Sequence, residues 1–395
     1  LKPERLRSSR LFQNTGQGKF KDVTEALGLI DKGWSGAAVP VDFNRDGFQD
    51  LYVLNMQGPD SFWENQAGKK FINKSRELFP LTPWGAMGAK SFDHNNDGHM
   101  DLYITDMHSD MSRIVEPTEE KKKALWAAEQ WGDRYLNDGG KRILGNAFYK
   151  NNGSGAFKEM SDALNMENFW PWGLSVGDLN ADGWQDAFVA SSMNYPLRYG
   201  INTALINNNG KGFKDAEFIL GLEPRKDGIL TTPWFQLNAS GADRDHHHAR
   251  GQSGKLLVVG AKGSRSSAIF DLDNDGDLDI ITNEFGDVPQ VLLSDLSTGS
   301  QPINYIKIKL RGAKSNRDAL GARVTVTSGS LTQTQVHDGQ SGYLSQSSIP
   351  LYFGLGKMER IDTIEVNWPS GAQTKLSRDL KINGTFEIIE SASSK

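Results

Sequence analysis

Asp42-Phe43-Asn44-Arg45-Asp46-Gly47-Phe48-Gln49-Asp50 sets a pattern that returns three times without a gap. The repeats are Asp93-His94-Asn95-Asn96-Asp97-Gly98-His99-Met100-Asp101, Asp178-Leu179-Asn180-Ala181-Asp182-Gly183-Trp184-Gln185-Asp186 and Asp271-Leu272-Asp273-Asn274-Asp275-Gly276-Asp277-Leu278-Asp279. Each places an oxygen-bearing side chain at positions one, three, five and nine, with Gly at position six. A hard cation takes six to eight oxygens, and alternate residues of a tight loop can aim at one centre. Gly permits the sharp turn, and the backbone carbonyl at position seven (Phe48, His99, Trp184 or Asp277) supplies a further oxygen. The ninth-position Asp would close each site. An EF-hand instead needs Glu at position twelve, where Val53, Ile104, Val189 and Thr282 stand. Asp, Asn and Gly also favour turns without any ion. Four identical spacings argue for calcium, about four ions per chain at one per loop.

A second element alternates with the loops: Leu11 to Phe20, Phe62 to Phe71, Phe148 to Phe157 and Leu205 to Phe213. Each has two apolar strand positions, an Asn- or Gly-bearing turn and a closing Phe, which reads as a β-hairpin. A loop hairpin followed by this hairpin makes four strands, the content of one propeller blade. A Trp precedes each loop (Trp34, Trp84, Trp172, Trp234) by 8, 9, 6 and 37 residues. The long last gap implies an insertion at about 238–265, and a second at about 108–144 carries a helix-forming run from Glu116 to Trp131. Recurrence of the four Trp at one place in the repeat favours packing between blades over sugar stacking. Trp126, Trp131, Tyr195 and Tyr199 stand outside that repeat.

The 395 residues carry a net charge of −5, 42 Gly, 10 Trp and no Cys. Disulfides, thiolate metal sites and cysteine nucleophiles are excluded. No apolar run reaches the ~20 residues of a membrane helix, and no basic cluster suits nucleic acid. Walker, His-Glu-x-x-His and Gly-x-Ser-x-Gly motifs are lacking. The unusual segment is Asp243-Arg244-Asp245-His246-His247-His248, inside the second insertion. Two of these His with Asp243 or Asp245 could bind a transition metal, or serve as acid and base. The competing reading is a solvated polar loop.

On these loops and hairpins the chain resembles the FG-GAP/VCBS-repeat β-propellers. Asn316 to Val324, Gly339 to Gln346, Phe353 to Gly356 and Trp368 to Gly371 are similar to the ASPIC/UnbV domain, a pairing found in the cartilage acidic protein-like family. The resemblance implies an all-β fold. A calcium-stapled β-propeller of four-stranded blades would occupy 1–298, followed by a small β-sandwich-like domain at 302–391. It also implies an extracellular, cell-surface or periplasmic binding, adhesion or scaffold protein with a protein or glycan ligand. A propeller lyase, dehydratase or hydrolase acting on a sugar-like substrate through the His-rich insertion is the alternative, and a subunit of a larger surface assembly is another. Such propellers usually close with more blades than four loops supply, so degenerate or further blades, or completion by another chain, are expected. Tyr343 and Ser345 are expected to fix a tight strand bend.

Overall fold

Leu102-Tyr103-Ile104 shows how the molecule is built, in a computed structural model that describes residues 8–107, 142–192, 199–225, 227–299, 302–378 and 380–391. Successive strand residues point to opposite faces. Leu102 and Ile104 therefore enter one core with Tyr52, Leu54 and Phe62, while Tyr103 enters another with Leu174 and Val189. The strand Asp101–Asp106 is buried on both faces throughout. That is why its sequence reads as a continuous apolar run rather than an alternation.

Three antiparallel four-stranded sheets share this plan. The first runs Ser35–Val41, Asp50–Asn55, Ser61–Asn65, Phe71–Asn73; the second Ala86–Phe92, Asp101–Asp106, Ala147–Asn151, Phe157–Glu159; the third Pro171–Gly177, Asp186–Ser191, Thr203–Asn207, Phe213–Asp215. In each, strands neighbour one another in chain order, the acidic loop joins strands one and two, and the Asn/Gly turn joins three and four. The expected repeat unit is thus present three times. Phe79, buried between the first and second sheets, meets the rings of Phe43, Tyr52, Phe62, Tyr149 and Phe157 at centroid distances of 4.6–6.3 Å.

The fourth sheet departs from the plan. It has three strands, Gly263–Phe270, Asp279–Phe285 and Gln290–Leu292. Where a fourth would begin, the chain turns through a 3-10 segment, Leu296–Thr298. The insertion expected at 238–265 is a two-stranded arm, Thr231–Asn238 against Lys255–Ala261, so Trp234 lies in the arm and not at the start of a sheet. The expectation that all four Trp pack between blades is corrected accordingly. Trp84 and Trp172 are 5% and 9% exposed, but Trp34 and Trp234 are 45% and 54% exposed. Trp34 precedes the first strand of the first four-stranded sheet, and Trp234 sits on a narrow ribbon; among the described residues no sheet is laid over either. The helix-forming run, Trp126, Trp131 and Tyr195 lie outside the described residues.

The hairpin Phe12–Gly16 with Lys19–Asp22 precedes the first sheet. After the fourth, a three-stranded sheet (Leu351–Gly354, Tyr305–Arg311, Thr385–Ile389) and a four-stranded one (Leu331–Val336, Arg323–Ser328, Thr363–Asn367, Gln373–Leu376) share a core of Ile306, Ile308, Val324, Phe353, Ile364 and Trp368. Among the described residues no helix is long and apolar enough to cross a membrane.

Candidate functional site

The four acidic loops fold alike because their own side chains tie down their amides. Position one accepts the Gly amide in every case: Asp42 from Gly47 at 2.9 Å, Asp93 from Gly98 at 2.7 Å, Asp178 from Gly183 at 2.7 Å and Asp271 from Gly276 at 3.1 Å. Position five accepts the amide of position seven, as Asp46 does from Phe48, Asp97 from His99, Asp182 from Trp184 and Asp275 from Asp277 at 2.8–3.2 Å. Position six has φ of 80–104° in all four loops, the left-handed region that Gly enters freely. Position four (Arg45, Asn96, Ala181, Asn274) is left-handed as well, at 54–64°, although none of these is Gly. In this geometry Asn44, Asn95 and Asn180 each donate to the position-five carboxylate at 2.9–3.2 Å.

The ninth-position Asp has a task the spacing did not disclose. Asp50, Asp101, Asp186 and Asp279 accept the amides of Asn65, Asn151, Asn207 and Ser294 at 2.7–2.9 Å, stapling the loop to the end of the third strand. The second oxygen of Asp101, Asp186 and Asp279 accepts a position-two amide, from His94, Leu179 and Leu272. These buried carboxylates therefore hold the repeat together whether or not they also touch an ion.

The donor set fits a hard cation. Asp50 Oδ2, Asn95 Oδ1, Asp271 Oδ1 and Asp277 Oδ1 are buried oxygens with no hydrogen-bond partner. Such atoms are costly unless something electropositive meets them. Burial, reinforced by neighbouring carboxylates, pushes Asp50 and Asp93 up to about 7. It also raises Asp178 and Asp186. A neighbouring cation favours the charged form of carboxylates in such surroundings. Asp271, Asp273 and Asp275 bring one ligand oxygen each within 4.8 Å of one another. They are the one such group of three among the described residues, and it is acidic, without His.

The His segment is arranged differently. His246, His247 and His248 stack on one another at centroid distances of 4.0–5.5 Å, at the tip of the arm. His246 Nδ1 accepts the His248 amide, Asp243 accepts the Asn238 amide, and Asp245 is exposed beside Arg244. The rings thus meet each other and Phe235, and the metal-ligating group found among the described residues does not include them. Tyr199, the remaining aromatic outside the repeat, donates to Glu223 at 2.8 Å, with Arg225 over its ring.

All four loops meet the C-terminal sheets, which sequence reasoning did not foresee. Gln49 lies beside Gly321. Arg323 bonds the Gly98 carbonyl, and the Gly356 amide donates to Ala181 at 2.9 Å. Lys307 pairs with Asp271 at 2.7 Å, and Tyr352 donates to the Gly276 carbonyl at 3.0 Å. The signal lay in the motif Phe353 to Gly356. Gly354 has no space for a Cβ, which would sit 2.0 Å from Asp178 Oδ2.

Comparison with known proteins agrees with the repeats and the tail. Residues 6–53, 42–104 and 135–189 match the FG-GAP-like repeat, and residues 312–395 match ASPIC and UnbV. Cartilage acidic protein 1 of Xenopus tropicalis is 27% identical over 279 residues, 62% of this chain and 41% of that protein. The Homo sapiens protein of the same name is 32% identical over 127 residues, 31% of this chain and 18% of its own. The chain thus spans less than half the length of these relatives. Among solved structures, a lectin of Agrocybe aegerita described as recognising non-reducing terminal N-acetylglucosamine aligns at TM-score 0.29 and 15% identity, covering 75% of this chain and 82% of its own. The Vibrio cholerae biofilm matrix protein Bap1 aligns at TM-score 0.25 and 11% identity, covering 95% and 59%. Neither likeness is close enough to bear on this chain.

Proposed function

Because the chain belongs to the FG-GAP and ASPIC/UnbV family, we propose that it is a calcium-stabilised binding or adhesion scaffold, extracellular, on the cell surface or periplasmic. The observation that carries this reading is the fourfold loop. Left-handed turns at the same two positions and matching amide ties recur in all four, and in the first, second and fourth loops they surround buried carboxylate or amide oxygens that lack partners. Under this reading Asp42, Asn44, Asp46 and Asp50, with their counterparts in the other loops, hold one ion each. The seventh-position carbonyl completes the set. Bound calcium neutralises the clustered charge and fixes the hairpin. The four repeat sheets form propeller blades, each covering the apolar face of the next.

The working surface is the arm 231–261, because the C-terminal sheets cover residues of every loop. Its two strands expose Trp234, Leu257 and Val259, apolar surface suited to a protein or glycan partner. Calcium titration into chelator-stripped protein tests the first part: saturable heat and a raised melting temperature are expected. No heat and an unchanged melting temperature would refute it. Arrays of glycans and immobilised matrix proteins test the second, with binding expected to fall on Trp234→Ala.

A second reading, a subunit of a larger surface assembly, is favoured by the fourth sheet. Among the described residues its outer strand Gln290–Leu292 has no fourth strand beside it, unlike the other three sheets, and Val288, Val291 and Leu293 are exposed along it. An unpaired apolar edge of this kind is a template for another chain.

A further inference from the structure

Arg265 is the extra residue of the register shift between Ser264 and Ser266, near the start of the fourth sheet. The other three sheets shift at the same place, around Gly36, Met87 and the pair Trp172 and Gly173. A bulge re-aims the side chain it carries. In the fourth sheet alone that side chain is charged.

The guanidinium meets aromatic rings. Its Cζ stands 3.6 Å from the centre of the Trp172 ring and 4.9 Å from that of Phe285. Trp172 is itself held, because its Nε1 donates to the Ser192 carbonyl at 2.6 Å and the Tyr343 ring stands edge-on to it at 5.3 Å. The Tyr343 amide donates to Ser266 Oγ at 2.9 Å, and a Cβ on Gly173 would lie 2.4 Å from that amide. Three elements thus fix the ring beneath Arg265.

An aromatic ring engages the flat face of a guanidinium and leaves its five N–H groups, which lie in the plane, to find acceptors. Among the described residues none of those on Arg265 does, and its Nε is buried without a hydrogen-bond partner. The neighbouring cations are paired. Arg225 meets Glu284 and, at 3.8 Å, Asp287, while Lys262 meets Asp287 at 2.7 Å and Asp227 at 3.4 Å. Glu284 also accepts from Ser264 Oγ at 2.7 Å and from the Thr282 hydroxyl. The carboxylates at this end of the sheet are therefore engaged elsewhere. Burial pulls the Arg265 guanidinium down to about 10, opposed by the Tyr343 phenol. A half-buried charge in this position is costly until an anion meets it.

We propose that Arg265 anchors a binding site for a small organic carboxylate, whose two oxygens accept from the guanidinium edge while Trp172 and Phe285 hold its face. The class follows from shape and charge. The planar fork of Arg matches a carboxylate through two parallel hydrogen bonds. With Arg225 and Lys262 already neutralised, one positive charge is left, which suits a monoanion. The site lies at the opposite end of the strand Gly263–Phe270 from the acidic loop, and it does not depend on whether that loop holds calcium.

The test titrates sodium acetate into the whole chain, with calcium present throughout and chloride replaced so that ionic strength stays constant. Binding heat is followed together with the Nε–H resonance of Arg265 in protein carrying isotope-labelled arginine, which Arg265→Lys assigns by removing it. Half-saturation is expected at about 1–10 mM, the range open to so small a ligand, with the Arg265 resonance moving on the same curve. Acetamide, which has the shape of acetate without its charge, should produce neither response. Arg265→Met keeps apolar contact with both rings and should bind acetate at least about tenfold more weakly. Should that variant fail to fold, Arg265→Lys keeps the charge but loses the fork, and about a threefold loss is expected of it. The proposal is overturned if the parent shows no saturable response up to about 100 mM acetate. It is also overturned if acetamide reproduces the response, if the Arg265 resonance stays still while heat is released, or if the substituted chain binds as tightly as the parent.

Discussion

Replacing Asp178 by alanine perturbs the third loop in two separable ways. Its Oδ2 accepts the buried Gly183 amide at 2.7 Å, and its Oδ1 accepts the Asp182 amide at 3.0 Å. The Asp182 amide keeps a second acceptor, Asn180 Oδ1 at 3.2 Å, so the Gly183 amide is the one left stranded. A buried donor without its acceptor costs about 1–3 kcal/mol, and that loss is independent of any ion. The second term belongs to calcium. An ion held only by the folded chain stabilises it by about 2.7 kcal/mol when free calcium stands a hundredfold above its dissociation constant. Asp178→Ala should therefore cost about 1–3 kcal/mol in excess EGTA and about 4–6 kcal/mol in saturating calcium. Asp178→Asn keeps one carbonyl oxygen as acceptor, so its loss in EGTA should be smaller while much of the calcium term persists. Urea denaturation followed by tryptophan fluorescence, with and without EGTA, measures both. Equal destabilisation in the two buffers would refute the assignment of Asp178 as a calcium ligand and leave it as a turn-forming residue.

Other consequences concern packing and acid stability. Phe79→Ala empties the centre of a five-ring cluster and should cost about 3–5 kcal/mol in chemical denaturation, against less than 1 if the first two sheets did not share that core. Trp84→Ala or Trp172→Ala should cost a similar amount, whereas Trp34→Ala and Trp234→Ala should cost less, about 1 kcal/mol, because about half of each residue is in solvent. Glu390 is opposed by burial, yet hydrogen bonds from the Ser370 hydroxyl and the amides of Ser315, Ala313 and Lys314 hold it down at about 2, against its usual 4.5. A lowered folded-state value contributes stability that is complete above pH 4.5 and lost as pH falls towards 2. A pH series of melting temperatures on the parent and Glu390→Gln should show the two curves converging across that window. Parallel curves would contradict the assignment.

Much of this architecture could be read in advance because the repeat carries both of its signals locally. The acidic loop announces the joint between strands one and two, and the Asn/Gly turn with its closing Phe announces the joint between three and four. What failed was non-local. Trp234 looks like Trp84 in its Pro-Trp context, but its environment depends on whether another sheet covers it, and the arm Thr231–Ala261 has none. The ninth-position Asp looked like a ligand alone, since the amides that donate to it lie 15 to 50 residues further along the chain. The three adjacent His suggested convergence on a metal, and only the turn at the arm's tip decides that their rings stack. The hairpin 338–347 reads as a strand bend, with Ser345 Oγ indeed donating back to the Tyr343 carbonyl. Nothing local in it reveals its contacts with Lys90, Leu174 and Ser266, which lie 77 or more residues upstream.

Elemental mass spectrometry on protein purified without a His tag or added metal tests the central claim most directly. The account predicts about four calcium ions per chain, one for each loop, and no stoichiometric zinc, iron, copper or manganese. Calcium far below that number would contradict the loop assignment. A transition metal that disappears when His246, His247 and His248 are changed to alanine would contradict the separation drawn here between an acidic metal centre and a stacked His turn.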